Sequence, residues 1–344
     1  MTKQGIQQNI PSLSDVYKKH FRIGAAVNPM TLHDQEAFIL KHFNSLTAEN
    51  VMKFERLQPE EGHFTFTHAD ELIAIAQQNN KQVRGHTLVW HNQTPDWVFQ
   101  QSNGEEADRQ LLLERMKQHI FTVMERYKGK IGSWDVVNEA VSDSGTDLLR
   151  ESKWRSIIGD DFIDKAFEYA HMADPDARLF YNDYNESHPE KREKIYSVAK
   201  GLVERGIPIH GIGLQAHWNL SEPSLDHIKQ AIERYASLGL KLHITEMDVS
   251  AFSFEDKRAD LTAPTEEMTD KLTERYRSFF DLMTEYAAVI DSVTFWGVAD
   301  NYTWLDDFPV KGRKNWPLLF DEHLQPKPSF WEVVDVARKE RVEK

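Results

Sequence analysis

The sequence contains no cysteine among its 344 residues. A disulfide framework, a thiolate metal site and a cysteine nucleophile are therefore excluded. The sequence also lacks any run approaching 18 apolar residues, so it predicts no membrane-spanning helix. The N-terminal stretch MTKQGIQQNIPSLSDVYKKH lacks the apolar segment of a secretory signal, and we therefore expect a cytoplasmic protein.

Basic residues are outnumbered by acidic ones, with 41 Lys and Arg against 55 Asp and Glu, for a net charge of −14. A nucleic-acid partner would require a basic face, and an anionic membrane would repel this chain, so neither partner is expected. Hydrophobic residues make up 40% of the sequence, which is enough for a sizeable core. No linker rich in Gly, Pro or Ser divides the chain, so we predict one domain over residues 1–344.

Short β-type runs alternate with longer helical runs along the whole chain. The eight β-type runs are 22–27, 44–48, 82–90, 134–139, 177–182, 211–215, 242–246 and 292–297. The helical runs cover about 32–42, 67 onward, 106–127, 161–173, 189–206, 224–238, 264–286 and 328 onward. Eight strand–helix units in this length predict a closed (β/α)₈ barrel, with a doubly wound open sheet as the alternative.

Two of these runs end on a glutamate. WDVVNE ends at Glu139 and LHITE ends at Glu246. An unpaired buried charge is costly, so a carboxylate at the end of an apolar strand indicates function more than packing. Active sites of such barrels lie at the carboxyl ends of the strands, and we expect the two glutamates to meet nearly across the barrel. Two carboxylates suit glycoside hydrolysis, with either retention or inversion.

The neighbouring residues suggest different roles for the two glutamates. Asp248 follows Glu246 by two positions and points the same way on an extended strand, and His217 could lie between them. A carboxylate bonded by a histidine stays ionised, as a nucleophile must. Glu139 lies near Trp90 and could have a raised pKa, which suits a general acid. Asn138 could bond the sugar 2-hydroxyl.

Polar or aromatic residues occur at seven consecutive strand ends: Glu49-Asn50, His86 and Trp90, Asn138-Glu139, Asn182 to Asn185, Gln215 and His217, Glu246 and Asp248, and Trp296. We interpret Trp90, Trp296 and Trp304 as walls against a sugar face, and Trp134, Trp154 and Trp331 as core. No metal-binding HExxH motif occurs, and we expect no metal and no other cofactor.

At these positions the sequence resembles family 10 glycoside hydrolases, the retaining endo-1,4-β-xylanases. The matching segments are TAEN (47–50), GHTLVWH (85–91), WDVVNEA (134–140), NDYN (182–185), LQAHW (214–218), ITEMDV (244–249), TFWGVADNYTW (294–304) and GRKNWPLLFD (312–321). The resemblance implies a catalytic barrel from about 12 to 340 without a carbohydrate-binding module, similar to the intracellular bacterial members of the family.

The resemblance also implies residue roles. Glu139 would be the acid/base and Glu246 the nucleophile, which His217 and Asp248 would support. The residues holding xylose units before the cleavage point would be Glu49, Asn50, Lys53, His86, Trp90, Asn138, Gln215, Trp296 and Trp304. Tyr184 would lie on the leaving-group side. Ala216 and Trp218 depart from the residues usual in the family, which puts the leaving-group side in question.

The expected partners are xylan-derived oligosaccharides. A cellulase or a β-xylosidase of the same barrel class is the second hypothesis, and a sugar-binding barrel without catalysis is the third. The presence of both glutamates argues against the third hypothesis.

Overall fold

All strands of the barrel are parallel to their neighbours in the computed structural model, which describes residues 9–339. Their bounds are β1 Arg22–Val27, β2 Ser45–Ala48, β3 Gln82–Trp90, β4 Ser133–Asn138, β5 Arg178–Asp183, β6 Gly211–Leu214, β7 His217–Asn219, β8 Lys241–Ser250 and β9 Ile290–Phe295. The predicted strand positions agree with these bounds to within a few residues, except that β8 continues four residues past Glu246.

The barrel closes because both ends of the sheet find a partner. Strands β1 to β6 pair in chain order, β6 pairs with β8, β8 with β9, and β9 returns to β1. The eight-stranded (β/α)₈ barrel predicted from the sequence is therefore confirmed, and the open sheet was the wrong alternative. Two strands, β5 and β6, lie between β4 and β8 around the barrel.

Helices cover the outside of the barrel. Their bounds are α1 Leu13–Val16, α2 Pro29–Asp34, α3 Glu36–His42, α4 Phe54–Leu57, α5 Thr67–Gln78, α6 Arg109–Arg126, α7 Lys153–Ile158, α8 Phe162–Ala173, α9 Pro189–Glu204, α10 Leu225–Ala236, α11 Glu266–Glu285 and α12 Pro328–Arg338, with 3₁₀ turns at Asp96–Phe99 and Trp304–Asp306. The helix predicted over 32–42 is two helices, because Asn28 caps an earlier start and the backbone leaves helical geometry at Gln35. No helix within residues 9–339 is long and apolar enough to cross a membrane.

Helix α10 illustrates how these elements form. The Ser224 side chain accepts a hydrogen bond from the backbone N–H of His227, which satisfies one of the free donors at the helix start. The buried residues then recur at helical spacing and face the barrel: Ile228, Ala231, Ile232 and Tyr235. Full burial of an isoleucine side chain contributes roughly 1.5–3 kcal/mol, so this face stabilises the helix more than its propensity does.

The sixth barrel strand is interrupted between β6 and β7. Ala216 has a φ of 60°, and after it the chain resumes as β7, which pairs with the second half of β8. Backbone hydrogen bonds continue across the interruption, from the Glu246 N–H to the Gln215 carbonyl and from the Asp248 N–H to the Ala216 carbonyl. The β7–β8 register then pairs His217 with Asp248.

The tryptophans predicted to be core divide into two groups. Trp134 and Trp154 are each 1% exposed, as predicted. Trp331 is 38% exposed, so the prediction was wrong for this residue. Adjacent positions on α12 point to different sides of the helix, and its neighbour Phe330 takes the inward position instead.

Candidate active site

Strand register brings several of the predicted site residues into one row. Trp90 pairs with Asn138 between β3 and β4, and Asn138 pairs with Asn182 between β4 and β5. The Asn182 amide nitrogen donates to the Asn138 side-chain oxygen at 2.8 Å. Parallel strands in register therefore place these three side chains side by side at the carboxyl end of the barrel.

Glu139 follows this row with an unusual backbone conformation. Its φ of 57° lies in the left-handed region, which costs a residue other than glycine about 1–3 kcal/mol. Its N–H donates to the Asn182 carbonyl at 2.9 Å, and the Arg150 side chain donates to its carbonyl at 3.0 Å. The next two N–H groups, of Ala140 and Val141, both donate to the Tyr181 hydroxyl at 3.0 Å. These four bonds hold the turn that directs the Glu139 carboxyl.

The Glu139 carboxyl accepts one hydrogen bond on each oxygen. The Trp90 indole N–H donates to Oε2 at 2.8 Å and the Gln215 amide donates to Oε1 at 2.9 Å. Burial raises the pKa of Glu139, and the negative charges of Asp183 and Glu246 raise it further, against the effect of the two hydrogen bonds. A raised pKa favours the protonated form of this carboxyl, which is the form that a proton donor requires.

Glu246 has the same side chain in the opposite electrostatic setting. It is 5% exposed, its Oε1 accepts from the Asn182 amide at 2.8 Å, and its Oε2 lies 3.2 Å from His217 Nε2. Burial alone would raise the pKa of Glu246, but the electrostatic interaction with His86 and the hydrogen bonds from His217 and Asn182 lower it to about 2. Glu246 is therefore ionised at neutral pH.

His217 connects Glu246 to Asp248. Its Nδ1 lies 3.0 Å from Asp248 Oδ1, and the Trp304 indole donates to Asp248 Oδ2 at 2.7 Å. Burial lowers the pKa of His217, but the charge of Asp248 and the hydrogen bonds to both carboxylates raise it to about 10. The ring is thus an imidazolium between two carboxylates, in the position predicted from the sequence.

Three amide side chains join the two glutamates. The Gln215 amide that bonds Glu139 also lies 3.4 Å from the Asn138 oxygen, and Asn182 donates to both Asn138 and Glu246. The Asn182 oxygen accepts from the Thr245 hydroxyl at 2.7 Å. A continuous chain of buried amides thus fixes the position of one carboxyl relative to the other.

His86 lies near the two glutamates, and residues closer to the base of the barrel orient its ring. Its Nδ1 is 2.9 Å from Asp135 Oδ2, and Asp135 also accepts from Arg84, whose Nε is 3.1 Å from Oδ2. The His86 ring meets the edge of Trp296 at a centroid distance of 5.4 Å. The three residues Arg84, Asp135 and His86 form a column along the barrel interior.

Glu49, Asn50 and Lys53 lie after β2 on one side of the glutamate pair. Lys53 is 7% exposed, donates to Asn50 at 3.0 Å and lies 4.9 Å above the Trp90 ring. Burial lowers the pKa of Lys53, against the attraction of Glu246, Glu49 and Glu139. The ammonium group is therefore placed among the carboxylates.

Tyr184 lies on the other side of Glu139, at the end of β5. Its hydroxyl donates to Asp143 at 2.5 Å and accepts from Arg150 at 2.6 Å. Lys191 lies 3.6 Å above its ring. Because Arg150 also bonds the Glu139 carbonyl, Tyr184 is one hydrogen bond removed from the backbone of Glu139.

The sequence of this chain also matches a known protein family. The profile of glycosyl hydrolase family 10 covers residues 12–336. The chain belongs to glycosyl hydrolase family 10.

Relatives within family 10 resemble the chain over almost its full length. An endo-1,4-beta-xylanase of Geobacillus stearothermophilus is 63% identical over 328 residues, which span 95% of this chain and 99% of the relative. Endo-1,4-beta-xylanase B of Paenibacillus barcinonensis is 56% identical over 94% of this chain and 98% of the relative. The crystal structure of xylanase XynB from Paenibacillus barcinonensis, complexed with a conduramine derivative, has a TM-score of 0.94 at 56% identity and covers 95% of this chain and 99% of that chain.

Several residues of this family 10 site were missed or underestimated from the sequence. Asn182 was named only as one of the polar residues at the strand ends, without a specific role, whereas the structure places it against Glu246. Asp135, which bonds His86, and Asn28, which donates to Glu49 at 3.0 Å, were not singled out. Asp135 lies two positions before Val137 and four before Glu139, so strand alternation could have placed it in the barrel interior.

Trp218 does not line the sugar-binding side of the site. It is 5% exposed, packs against Phe279 of α11 at a centroid distance of 4.6 Å, and donates to buried Glu186 at 3.0 Å. The position of Trp218 therefore gives no reason to expect that this residue alters the leaving-group side of the site. Within residues 9–339, no cluster of three or more His, Asp or Glu side chains could hold a metal ion.

Proposed function

We propose that this chain is a retaining endo-1,4-β-xylanase that cleaves xylan fragments and xylo-oligosaccharides by double displacement. The observation that carries the proposal is the pair of opposite pKa shifts, upward at Glu139 and down to about 2 at Glu246. One protonated and one ionised carboxyl are what glycoside hydrolysis requires. The xylanases among the relatives support the choice of substrate.

In the first step, Glu246 attacks the anomeric carbon of the xylose unit before the cleavage point. Glu139 donates its proton to the glycosidic oxygen as that bond breaks, and a covalent glycosyl-enzyme forms. His217, held by Asp248, keeps Glu246 ionised until the attack. Asn138 bonds the sugar 2-hydroxyl, whose interaction strengthens in the transition state.

In the second step, Glu139 acts as the base. The charge of Glu246 contributes to the raised pKa of Glu139, and formation of the ester removes that charge. The pKa of Glu139 falls, the ionised carboxylate takes a proton from water, and the water attacks the anomeric carbon. The Glu246–sugar bond breaks and the product keeps its original configuration.

The remaining predicted residues would bind the sugar chain. The residues proposed to contact xylose units before the cleavage point are Glu49, Asn50, Lys53, His86, Trp90, Asn138, Gln215, Trp296 and Trp304. Tyr184 is proposed to lie on the leaving-group side. Trp304 could close the space that the exocyclic CH₂OH of glucose would need, since xylose lacks that group.

Product configuration tests the mechanism. Proton NMR during hydrolysis of xylohexaose is expected to show the β-anomer at the new reducing end first, followed by mutarotation. An α-anomer formed first would contradict retention and the role of nucleophile proposed for Glu246.

Substrate choice is tested by comparing xylohexaose with cellohexaose. We expect much faster cleavage of xylohexaose, with xylobiose and xylotriose among the early products. Faster hydrolysis of cellohexaose would favour a cellulase, and release of xylose alone from chain ends would favour a β-xylosidase. The cytoplasmic location and the absence of a carbohydrate-binding module over 1–344 stay predictions of the sequence.

A further inference from the structure

A basic cavity lies at the end of the barrel opposite the glutamate pair. Its wall is formed by the first residues of the strands, including Arg22 of β1, Arg84 of β3, Arg178 of β5 and His243 of β8. Arg22 is exposed at this end, so the cavity reaches the surface.

The volume of this basic cavity is ≈ 270 Å³. A water molecule occupies about 30 Å³ of liquid, so 270 Å³ has room for a tetrahedral oxyanion together with a small organic carrier.

Strand register builds the wall of this cavity. Arg84 pairs with Ser133, and Ser133 pairs with Arg178. On the other side of the barrel, Arg22 and His243 both pair with Ser292. Basic side chains therefore alternate with serine hydroxyls, which are small hydrogen-bond donors, around the base of the barrel.

The charge of the cavity is opposite to that of the whole chain. Arg84 pairs with Asp135 inside the barrel, and Arg178 pairs with Asp291 at 2.6 Å. Arg22 adds a third guanidinium group, whereas the described residues lining the cavity include no acidic one. Asp135 and Asp291 offset two of the three guanidinium charges, so the excess positive charge comes from Arg22, and in a chain of net charge −14 it favours an anion at this cavity.

His243 supplies an independent observation. It is 4% exposed, and its Nδ1 contacts Arg84, which can only donate, so Nδ1 accepts. Burial lowers the pKa of His243 well below its usual range, and the charges of Arg84, Arg178 and Arg22 lower it further. The neutral ring therefore carries its proton on Nε2, and this buried N–H has no hydrogen-bond partner among the described residues.

We propose that the base of the barrel binds a small oxyanion, either inorganic phosphate or the phosphoryl group of a small phosphorylated metabolite. Arg22 and Arg178 would pair with the anion and the serine hydroxyls would donate hydrogen bonds to its oxygens, while the buried His243 ring would border the site without contacting the anion. The site lies apart from the glutamate pair, so it does not depend on the proposed xylanase activity. Because the anion would bind the folded chain alone, it would stabilise the barrel.

The test measures the melting temperature and, by isothermal titration calorimetry, phosphate binding at constant ionic strength adjusted with NaCl. We expect saturable binding and a melting temperature that rises by roughly 2–5 °C and then levels off. Arg22→Gln is expected to weaken phosphate binding at least about tenfold. Arg277→Gln, which removes an equally exposed arginine on α11, is expected to leave binding unchanged.

Phosphate also stabilises proteins generally, through exclusion from their surface. An unsaturable rise that is equal in the wild type and in Arg22→Gln, or no calorimetric binding, would overturn the proposal. Glycerol 3-phosphate serves as the second probe: tighter binding than inorganic phosphate supports a phosphorylated metabolite, and weaker binding supports the free anion. Xylohexaose hydrolysis by Arg22→Gln is expected to be unchanged, which separates this site from the sugar site.

Discussion

Glu139 is partly buried and Glu246 is buried near the same centre, yet their pKa values move apart. The difference comes from their partners, because Glu139 accepts from neutral donors whereas Glu246 accepts from the imidazolium of His217. The negative charge of Glu246 increases the difference between the two pKa values, because it raises the pKa of Glu139. The environment of each carboxyl thus assigns its proposed role.

Replacing Glu139 with Ala is expected to separate the two proposed steps. Hydrolysis of xylo-oligosaccharides should fall about 10²–10⁴-fold, because the leaving oxygen loses its proton donor. Aryl xylobiosides with good leaving groups should still form the glycosyl-enzyme, measured as a burst of the released phenol. Glu246→Ala is the comparison and should lose both reactions, and equal loss of the burst in both variants would contradict the assignment.

Replacing Asp248 with Asn tests how His217 stays charged. The charge of Asp248 opposes the effect of burial, so its removal should lower the pKa of His217 from about 10. The alkaline limb of kcat/KM should then move to lower pH, because His217 loses within the working pH range the positive charge that holds the Glu246 carboxylate in position for attack. Asp260→Asn, at an exposed position, is the control, and an unchanged profile in Asp248→Asn would contradict this account.

At the level of elements, the sequence predicted best those features that depend on the residues of a single strand. The run ending at Glu139 marks the carboxyl end of β4, whereas β8 continues four residues past Glu246. The interruption at Ala216 could not be predicted, since alanine carries no preference for a positive φ. Contacts such as Asn28 with Glu49 also depend on how separate strands meet, and no local pattern encodes that.

Strand β5 supports the turn after β4 through Tyr181. Tyr181→Phe would leave the N–H groups of Ala140 and Val141 without an acceptor, at a cost of about 1–3 kcal/mol each. The Glu139 carboxyl would shift with its backbone, and we expect kcat to fall about 10–100-fold with little change in KM. Steady-state kinetics and guanidinium unfolding measure the two effects, and Tyr196→Phe on α9 is a control at a position outside the site. Unchanged kcat in Tyr181→Phe would show that the turn holds without this hydroxyl.

Strand β6 requires a glycine beside the amide chain. A Cβ at Gly213 would overlap the Asn182 side chain, whereas a Cβ at Gly211, lower on the same strand, would overlap the Phe180 ring. Both Ala variants should lose about 1–3 kcal/mol of stability. Only Gly213→Ala should also lower kcat, because Asn182 positions Glu246. Equal kcat values for the two folded variants would contradict this difference.

For the whole molecule, the charge network of His217 links stability to pH. A folded pKa of about 10, above the unfolded value of about 6.5, gives stability that is complete below pH 6.5 and is lost as the pH rises toward 10. The loss should be about 1.4 kcal/mol per pH unit in that range. We expect the free energy of unfolding of the wild type to approach that of His217→Gln between pH 6.5 and 9, as measured by guanidinium denaturation. A difference that does not vary with pH would contradict the prediction.

The column of Arg84, Asp135 and His86 has a consequence for engineering. In barrels of this type, the carboxyl ends of the strands hold the active site, and the opposite face of the barrel contributes to stability. Here Asp135 accepts from Arg84 toward the base and from His86 toward the catalytic end. Substitutions of Arg84 that are made to raise the stability of the barrel should therefore also change turnover. Stability and activity should be measured together for every variant of Arg84, Asp135 and His86.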